Sequence, residues 1–489
     1  MKREWRNPLA VINNHIGRTA LLALLGVCLA PGHVWAGPFD LYGAGARGTA
    51  MGSAQTAKPL GPSAIYYNIG ALPLSEPTIT VGAFSSFGQS AQILLHARPE
   101  GYDVPDLGAS SPSLASQDTI KSRSDTQGIR ALRGLILGGT TDLGIPDLRL
   151  GLLLMLPIGD LVSMETHFAD ERERIFSNQL TYELIDQRVH RLDIEVGGAY
   201  RVTEWLSAGI GATVAPGTSA KTQVYLKDPT NQELIHANSD VVVSTAFGLL
   251  AGLVFNGPWE PLTLGVSYRA SLQTRNRVEN ALVLLGVDTS GDTRQNMDWT
   301  PSYSPAMVNV GLSWDSATWS LALDGRYTRW SDYRDTQNHR PGFDDTIAPR
   351  MGLEYAYSES TRLRLGLGWE PSPVPDQNGR TNYVDNDRIM GSVGSEHTFN
   401  LGGHAFRASW FVQFHHLLTR QTTKTFAGPQ YDTCSAGTVE VCDEVDDNFE
   451  DPETGQVAAG AAGLQTGNPG FPGFTSGGWI GSVGGELQF

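Results

Sequence analysis

"TRLRLGLGW", Thr361–Trp369, sets Leu363, Leu365, Leu367 and Trp369 along one side of an extended chain, with Arg362 and Arg364 along the other. Successive side chains of a strand point to opposite faces, so this alternation reads as a strand with one greasy face. Two arrangements fit it: a soluble sheet over a protein core, or a wall whose outside is lipid. The pattern recurs along the chain. From Leu148, "LRLGLLLMLPIG" puts Leu148, Leu150, Leu152, Leu154 and Leu156 in a row. "HRLDIEVGGAYRV" sets Leu192, Ile194, Val196, Tyr200 and Val202 against Asp193 and Glu195. "WSLALDGRYTRW" sets Trp319, Leu321, Leu323 and Tyr327 against Asp324 and Arg326. The final "GSVGGELQF", Gly481–Phe489, carries Val483, Leu487 and Phe489 on one face. Charges inside and aliphatics outside invert the soluble arrangement, and they suit a membrane barrel of about 9–11-residue strands. Many segments also end on Trp, Tyr or Phe, as an aromatic girdle requires.

The connections favour the membrane. Short joins stand at "GIPD" before Leu148, "TEW" at 203–205, "NGPWEP" at 256–261, "DSAT" at 315–318 and "SEST" at 358–361. They alternate with long polar stretches at roughly 88–128, 158–189, 215–240, 271–302, 331–347, 370–388 and 417–476. Tight turns on one side and long loops on the other are the habit of outer-membrane barrels, with turns in the periplasm and loops outside. The expected fold is therefore all-β, a transmembrane antiparallel β-barrel of about 14 strands over residues 77–489. The terminal segment is its closing strand.

Composition agrees. Over 489 residues hydrophobic content is 40%, with 56 glycines, and the mature region has no run of the ~18–20 apolar residues a membrane helix needs. Barrel strands escape that test because they alternate. Residues 1–36 read as a signal peptide: Lys2, Arg3, Arg6 and Arg18 precede the apolar run Ala20–Ala30, and Val34 and Ala36 offer a cleavage pattern. Without that leader the chain holds 31 basic and 50 acidic residues, a balance that repels nucleic acid phosphates. Cys434 and Cys442 then remain in a compartment that permits oxidation, where a local disulfide is expected rather than two free thiols.

Residues 37–76 break the alternation. This stretch is rich in Gly, Ala and Pro, and its small residues suit close packing against a lumen wall. We expect it to plug the barrel. Gly43, Gly45 and Gly48 have the G-x-G-x-x-G spacing of a dinucleotide site, but no apolar strand precedes them, so nucleotide binding is not expected. No metal or cofactor is expected either: the eight acids from Glu440 to Glu453 fit no calcium loop. No Ser–His pair at the lipid boundary points to an enzyme.

The segment "GAGARGTAMGSAQTA…GPSAIYYNIGAL" resembles the N-terminal plug of the FadL family of outer-membrane long-chain fatty acid and aromatic hydrocarbon channels. Co-linear matches follow at "LGVSYRA" 264–270, "YTRWSDY" 327–333, "RMGLEYAYSESTRLRLGLGWEPSPVPD" 350–376 and "DNDRIMGSVG" 385–394. The chain departs from the family at Asn68, where Ile69 and Gly70 replace the usual Pro-Ala. The resemblance implies a 14-stranded barrel in the outer membrane of a Gram-negative bacterium, stoppered by its N-terminal segment. A hydrophobic small molecule would enter passively from outside and leave sideways at a distorted third strand. Gly151 and Pro157 are the candidate weak points there, and Leu153 and Met155, apolar on the inner face, either grease that path or simply pack against the plug. Arg326, Arg362 and Arg364 face the lumen, where they would receive a carboxylate or form a ladder of ion pairs. Outer-membrane lipid and lipopolysaccharide would surround the barrel. The final Phe489 resembles the signal read by barrel-assembly machinery. A polar-solute porin and a surface receptor or adhesin acting through its long loops are the competing readings.

Overall fold

The computed structural model describes residues 39–88, 90–95, 129–158, 182, 184–186, 192–215, 217–225, 235–257, 261–284, 293–335, 340–378, 383–423 and 473–489. The expected leader and Cys434 and Cys442 lie outside the described residues.

Among the described residues, fourteen antiparallel strands form a ring. They are β1 Ile79–Phe87, β2 Arg133–Thr141, β3 Leu148–Pro157, β4 Asp193–Thr203, β5 Leu206–Ala215, β6 Ala246–Asn256 and β7 Leu262–Arg269, then β8 Ala306–Asp315, β9 Trp319–Arg329, β10 Thr346–Ala356, β11 Thr361–Glu370, β12 Arg388–Leu401, β13 His404–Thr423 and β14 Gly473–Gln488. Each pairs with its neighbours in sequence, and β1 closes the ring on β14 with Thr80 opposite Gln488 and Phe87 opposite Gly481. Closure removes the sheet edges that a bilayer would not tolerate. The last residue takes part: the Ile79 and Phe489 backbones exchange hydrogen bonds of 2.8 and 3.0 Å.

The two faces of the wall separate as the alternation requires. On β11, Leu363, Leu365, Leu367 and Trp369 are 43–48% exposed while Arg364 is buried. Exposed aromatics collect near both ends of the strands. Trp205, Trp314, Trp319 and Phe489 stand toward the tight turns, and Phe87, Tyr327, Phe414 and Trp479 toward the other rim. This is the pair of girdles that a hydrocarbon band selects.

Two sequence expectations are corrected. Residues 215–240 and 271–302 are not simply loops. Strands Thr218–Tyr225, Ile235–Val243, Leu272–Leu284 and Thr293–Ser304 follow or precede β5, β6, β7 and β8 within one or two residues and pair as a separate four-stranded sheet. The third strand is also unbroken. β3 pairs with β2 from Gly134–Pro157 to Thr141–Leu150, and with β4 from Leu148–Tyr200 to Met155–Asp193, with no register shift. Gly151 answers a different need: a Cβ there would lie 2.8 Å from Cδ1 of Ile65, so the missing side chain makes room for an interior residue. Pro157 ends the strand, where its missing N–H costs little.

Residues 39–75 lie inside the ring. Short helices Phe39–Tyr42, Ala46–Ala50 and Ala64–Tyr67 alternate with 3₁₀ turns Gly61–Ser63 and Ile69–Leu74. Ala46–Ala50 packs on β11, β12 and β13, Ile69–Leu74 packs on β4, β5 and β6 across the ring, and Gly61–Ser63 reaches β1, β2 and β3. Ala44, Ala50, Ala54, Ala64 and Ala71 are fully buried, so backbone rather than side chain fills much of the lumen.

Candidate binding site

The interior segment follows its path because of its glycines and its polar anchors. Gly43 and Gly45 have φ of +84° and +75°, which turn the chain between the first two helices at little steric cost. Gly48 lets the Tyr67 ring lie flat against the second helix, where any Cβ would collide with it. Asn68 donates from Nδ2 to the carbonyls of Thr56 (2.8 Å) and Leu253 (3.0 Å), and its Oδ1 accepts from the Gly70 amide (3.1 Å). One side chain thus ties two parts of the segment to β6. Ile65, Ile69 and Leu72 are each 1% exposed or less, and burying such side chains contributes about 1.5–3 kcal/mol apiece. Leu153 and Met155 join the same buried cluster as Ile65.

Charged groups clamp the lower part of the segment. The Arg47 Nε lies 3.1 Å from Glu354. Arg364 bridges Glu354 and Glu396 at 2.7 Å each with its side chain 1% exposed, and Arg362 adds a 3.1 Å contact to Glu354. The Ala46 amide donates to Glu486 (2.9 Å) and the Thr56 amide to Asp324 (2.7 Å). Arg149 and Arg201 donate to the carbonyls of Ser75 and Pro73. The three arginines named from sequence therefore part company. Arg362 and Arg364 are committed to wall carboxylates, whereas Arg326 lines an internal cavity.

That space is a cavity of about 60 Å³ above the first helix. Leu41, Leu184, Ile185, Met307 and Trp330 supply its apolar lining; Asp40, Arg326, Glu370, Asp385 and Arg388 supply its polar floor. An aromatic cluster stands over one side. Tyr333 stacks on Phe343 with ring centres 4.7 Å apart, Phe343 meets Tyr383 edge-on at 5.1 Å, and Tyr303 meets Tyr333 edge-on at 5.8 Å. Below the cavity the gaps shrink to about 10 Å³ each, one beside Tyr66, Arg269 and Asp324 and one beside Asp40, Arg350 and His415. Each has room for one water at most.

Sequence reasoning missed Arg388. It starts β12, with its side chain 12% exposed, and its Nε and Nη1 make no hydrogen bond. Asp385 Oδ1, 3.8 Å away, is likewise without a hydrogen-bond partner. Burial pushes the Asp385 carboxyl up from its usual range, with Arg388 opposing. The signal was present in "DNDR", Asp385–Arg388, a charged run at the foot of a strand, but nothing in it gives the direction of the side chain. The floor thus carries a loose ion pair, Arg388 with Asp385, whose facing atoms make no hydrogen bond.

A closed β-barrel with an apolar outer face and a chain segment within it defines a class of membrane protein. The model of the family described as "Outer membrane protein transport protein (OMPP1/FadL/TodX)" matches residues 168–422, a little over half of the chain, and the chain belongs to that family. Among relatives, the alkane uptake protein A of Marinobacter nauticus is 22% identical over 234 residues, covering 43% of this chain and 51% of that protein. A long-chain fatty acid transport protein of Salmonella typhi is 28% identical over 243 residues, covering 43% and 56%. The chain spans about half the length of the curated relatives it matches. The solved structure of a Pseudomonas aeruginosa FadL homologue shares the fold, with a TM-score of 0.56 at 14% identity over 91% of this chain and 98% of that one. The Pseudomonas putida toluene transporter TodX follows at 0.50, 15%, 92% and 99%. The protein is thus a β-barrel of the Gram-negative outer membrane.

Proposed function

We propose that this protein is a passive channel for hydrophobic small molecules, hydrocarbons or long-chain fatty acids, with residues 1–36 as its leader, 37–76 as a plug and 77–489 as the barrel. The cavity carries this reading. It is apolar above and polar below, it lies on the loop side, and beneath it the lumen narrows to water-sized gaps. The gaps described beneath it are too small for a sugar, whereas a hydrophobic guest finds in the cavity a place to leave water. The relatives named for alkane and fatty acid uptake point the same way.

The guest has to make room. An apolar cavity of about 150 Å³ admits benzene, so a cavity of about 60 Å³ takes a ring or an alkyl chain only when the aromatic cluster of Tyr303, Tyr333, Phe343 and Tyr383 shifts. Arg388 and Arg326 then offer charge-assisted hydrogen bonds to a carboxylate, and Asp385 offers an acceptor to a hydroxyl. Gly43, Gly45, Gly48 and Asn68 shape the plug. Lipid and lipopolysaccharide surround the exposed rows, and Phe489 is the assembly machinery's handle. No catalytic step is assigned.

The test is retention. The purified protein is mixed with alkanes, aromatics and fatty acids, stripped of excess, and analysed by mass spectrometry. A bound hydrophobe is expected. Arg388→Met should weaken fatty acid retention by about tenfold, the worth of one lost hydrogen bond to a charged group, and leave alkane retention unchanged. A folded sample that retains nothing hydrophobic would contradict the proposal.

A further inference from the structure

The charges on the polar floor of the cavity are already in balance. Three carboxylates and two guanidiniums line it, Asp40, Glu370 and Asp385 with Arg326 and Arg388. A third guanidinium stands beneath, where Arg350 Nη2 lies 2.7 Å from Glu370 Oε2. Arg326 balances Asp40 through Tyr66, whose hydroxyl donates to Asp40 Oδ1 at 2.8 Å and accepts from Arg326 Nη2 at 3.4 Å. That leaves Arg388 and Asp385 to each other. Each acid of the floor therefore has a counter-charge, and a guest that brings another anion upsets the balance in a place closed to water.

Of these pairs, Arg388 with Asp385 is the loosest. Nη1 and Oδ1 are 3.8 Å apart and neither makes a hydrogen bond, although the two side chains are only 12% and 1% exposed. That separation is too long for an N–H···O bond, and an oxygen set beside the pair can lie about 2.8–2.9 Å from both atoms. Both atoms are covered, so a head group has to part them. Parting them breaks no hydrogen bond, unlike parting Arg350 from Glu370. What settles there must accept from a guanidinium and donate to a carboxylate at once. A hydroxyl does both, whereas a carboxylate only accepts. A carboxylate that turned to Arg388 would face Asp385 across one guanidinium, and burial strengthens the repulsion between them. An alkane end does neither and leaves the pair as it stands.

We propose that Asp385 is the specificity-determining residue of the cavity. It selects a lipophile with an uncharged hydroxyl end, a long-chain alcohol, over the carboxylate of the same chain length, and the hydroxyl sits between Arg388 and Asp385. This rests on the uptake reading above and narrows it. Arg388 by itself favours the carboxylate; Asp385 cancels that preference and supplies the acceptor that the alcohol needs.

The purified full chain in detergent is offered hexadecanol, palmitate and hexadecane together at about pH 9, far above the usual carboxylic acid range. What it retains is measured by mass spectrometry and divided by the uptake of protein-free detergent. The native chain is expected to retain hexadecanol about tenfold over palmitate, the worth of one hydrogen bond to a charged group. Asp385→Asn keeps an acceptor oxygen and removes the charge. In its folded, heat-modifiable fraction it should raise palmitate retention about tenfold and change hexadecanol by less than about threefold. Asp376→Asn removes an exposed carboxylate from the same connection and should leave the ratio as it was. A native chain that retains palmitate as well as hexadecanol, or a folded Asp385→Asn chain with the native ratio, overturns the proposal. A native chain that retains none of the three strikes the uptake reading instead.

Discussion

Arg364 and Leu365 are neighbours on β11 and meet different solvents. Leu365 stands in an exposed aliphatic row, interchangeable in kind with Leu363 and Leu367. Arg364 is closed in between two carboxylates at 2.7 Å, one of which also holds Arg47 of the interior segment. The outer face makes one undemanding requirement, that each residue prefer hydrocarbon to water. The inner face makes many specific ones, because each side chain must match a partner on the interior segment or the next strand.

This contrast can be broken by mutation. Arg364→Ala has the largest expected effect. Removing one member of a buried ion pair costs about 3–5 kcal/mol, because Glu354 and Glu396 would be left buried side by side; urea unfolding in lipid vesicles measures it, and Glu396→Gln in the same chain should recover part of the loss. Leu365→Arg comes next. A guanidinium placed in the lipid band of a barrel costs about 2–4 kcal/mol near the midplane, so the fraction that folds into vesicles, read as an unheated band of shifted mobility, should fall. Smallest is Arg362→Ala. Its side chain is 52% exposed, and an exposed ion pair is worth about 1 kcal/mol or less. A large loss from Arg362→Ala with none from Arg364→Ala would invert the account of the inner face.

The outer face was legible in the sequence for the same reason that it is undemanding. A period of two with one solvent per face leaves its mark in most strands of the wall, with β3, apolar on both faces, the clear exception. The strands at 218–225 and 272–284 are not legible in this way, because "TSAKTQVY" and "LQTRNRVENALVL" lack a clean apolar face, and they pair in a sheet apart from the ring. The inner face was legible only in kind. Charges on Asp193, Glu195, Asp324 and Arg364 announce a lumen, but which of them meet each other depends on strand register and on the path of the interior segment. Nothing in the sequence therefore separates Arg362 and Arg364 from Arg326, or singles out Arg388. Gly151 misled because a glycine in a strand permits either a bend or a close neighbour, and its neighbour Ile65 lies 86 positions away in the chain.

The central claim is that the fourteen-stranded wall encloses a filled lumen rather than an open pore, and liposome swelling tests it most directly. Vesicles carrying the purified full chain and placed in arabinose, glucose or sucrose are expected to swell no faster than vesicles without protein. Swelling that is rapid and graded by sugar size would contradict the account.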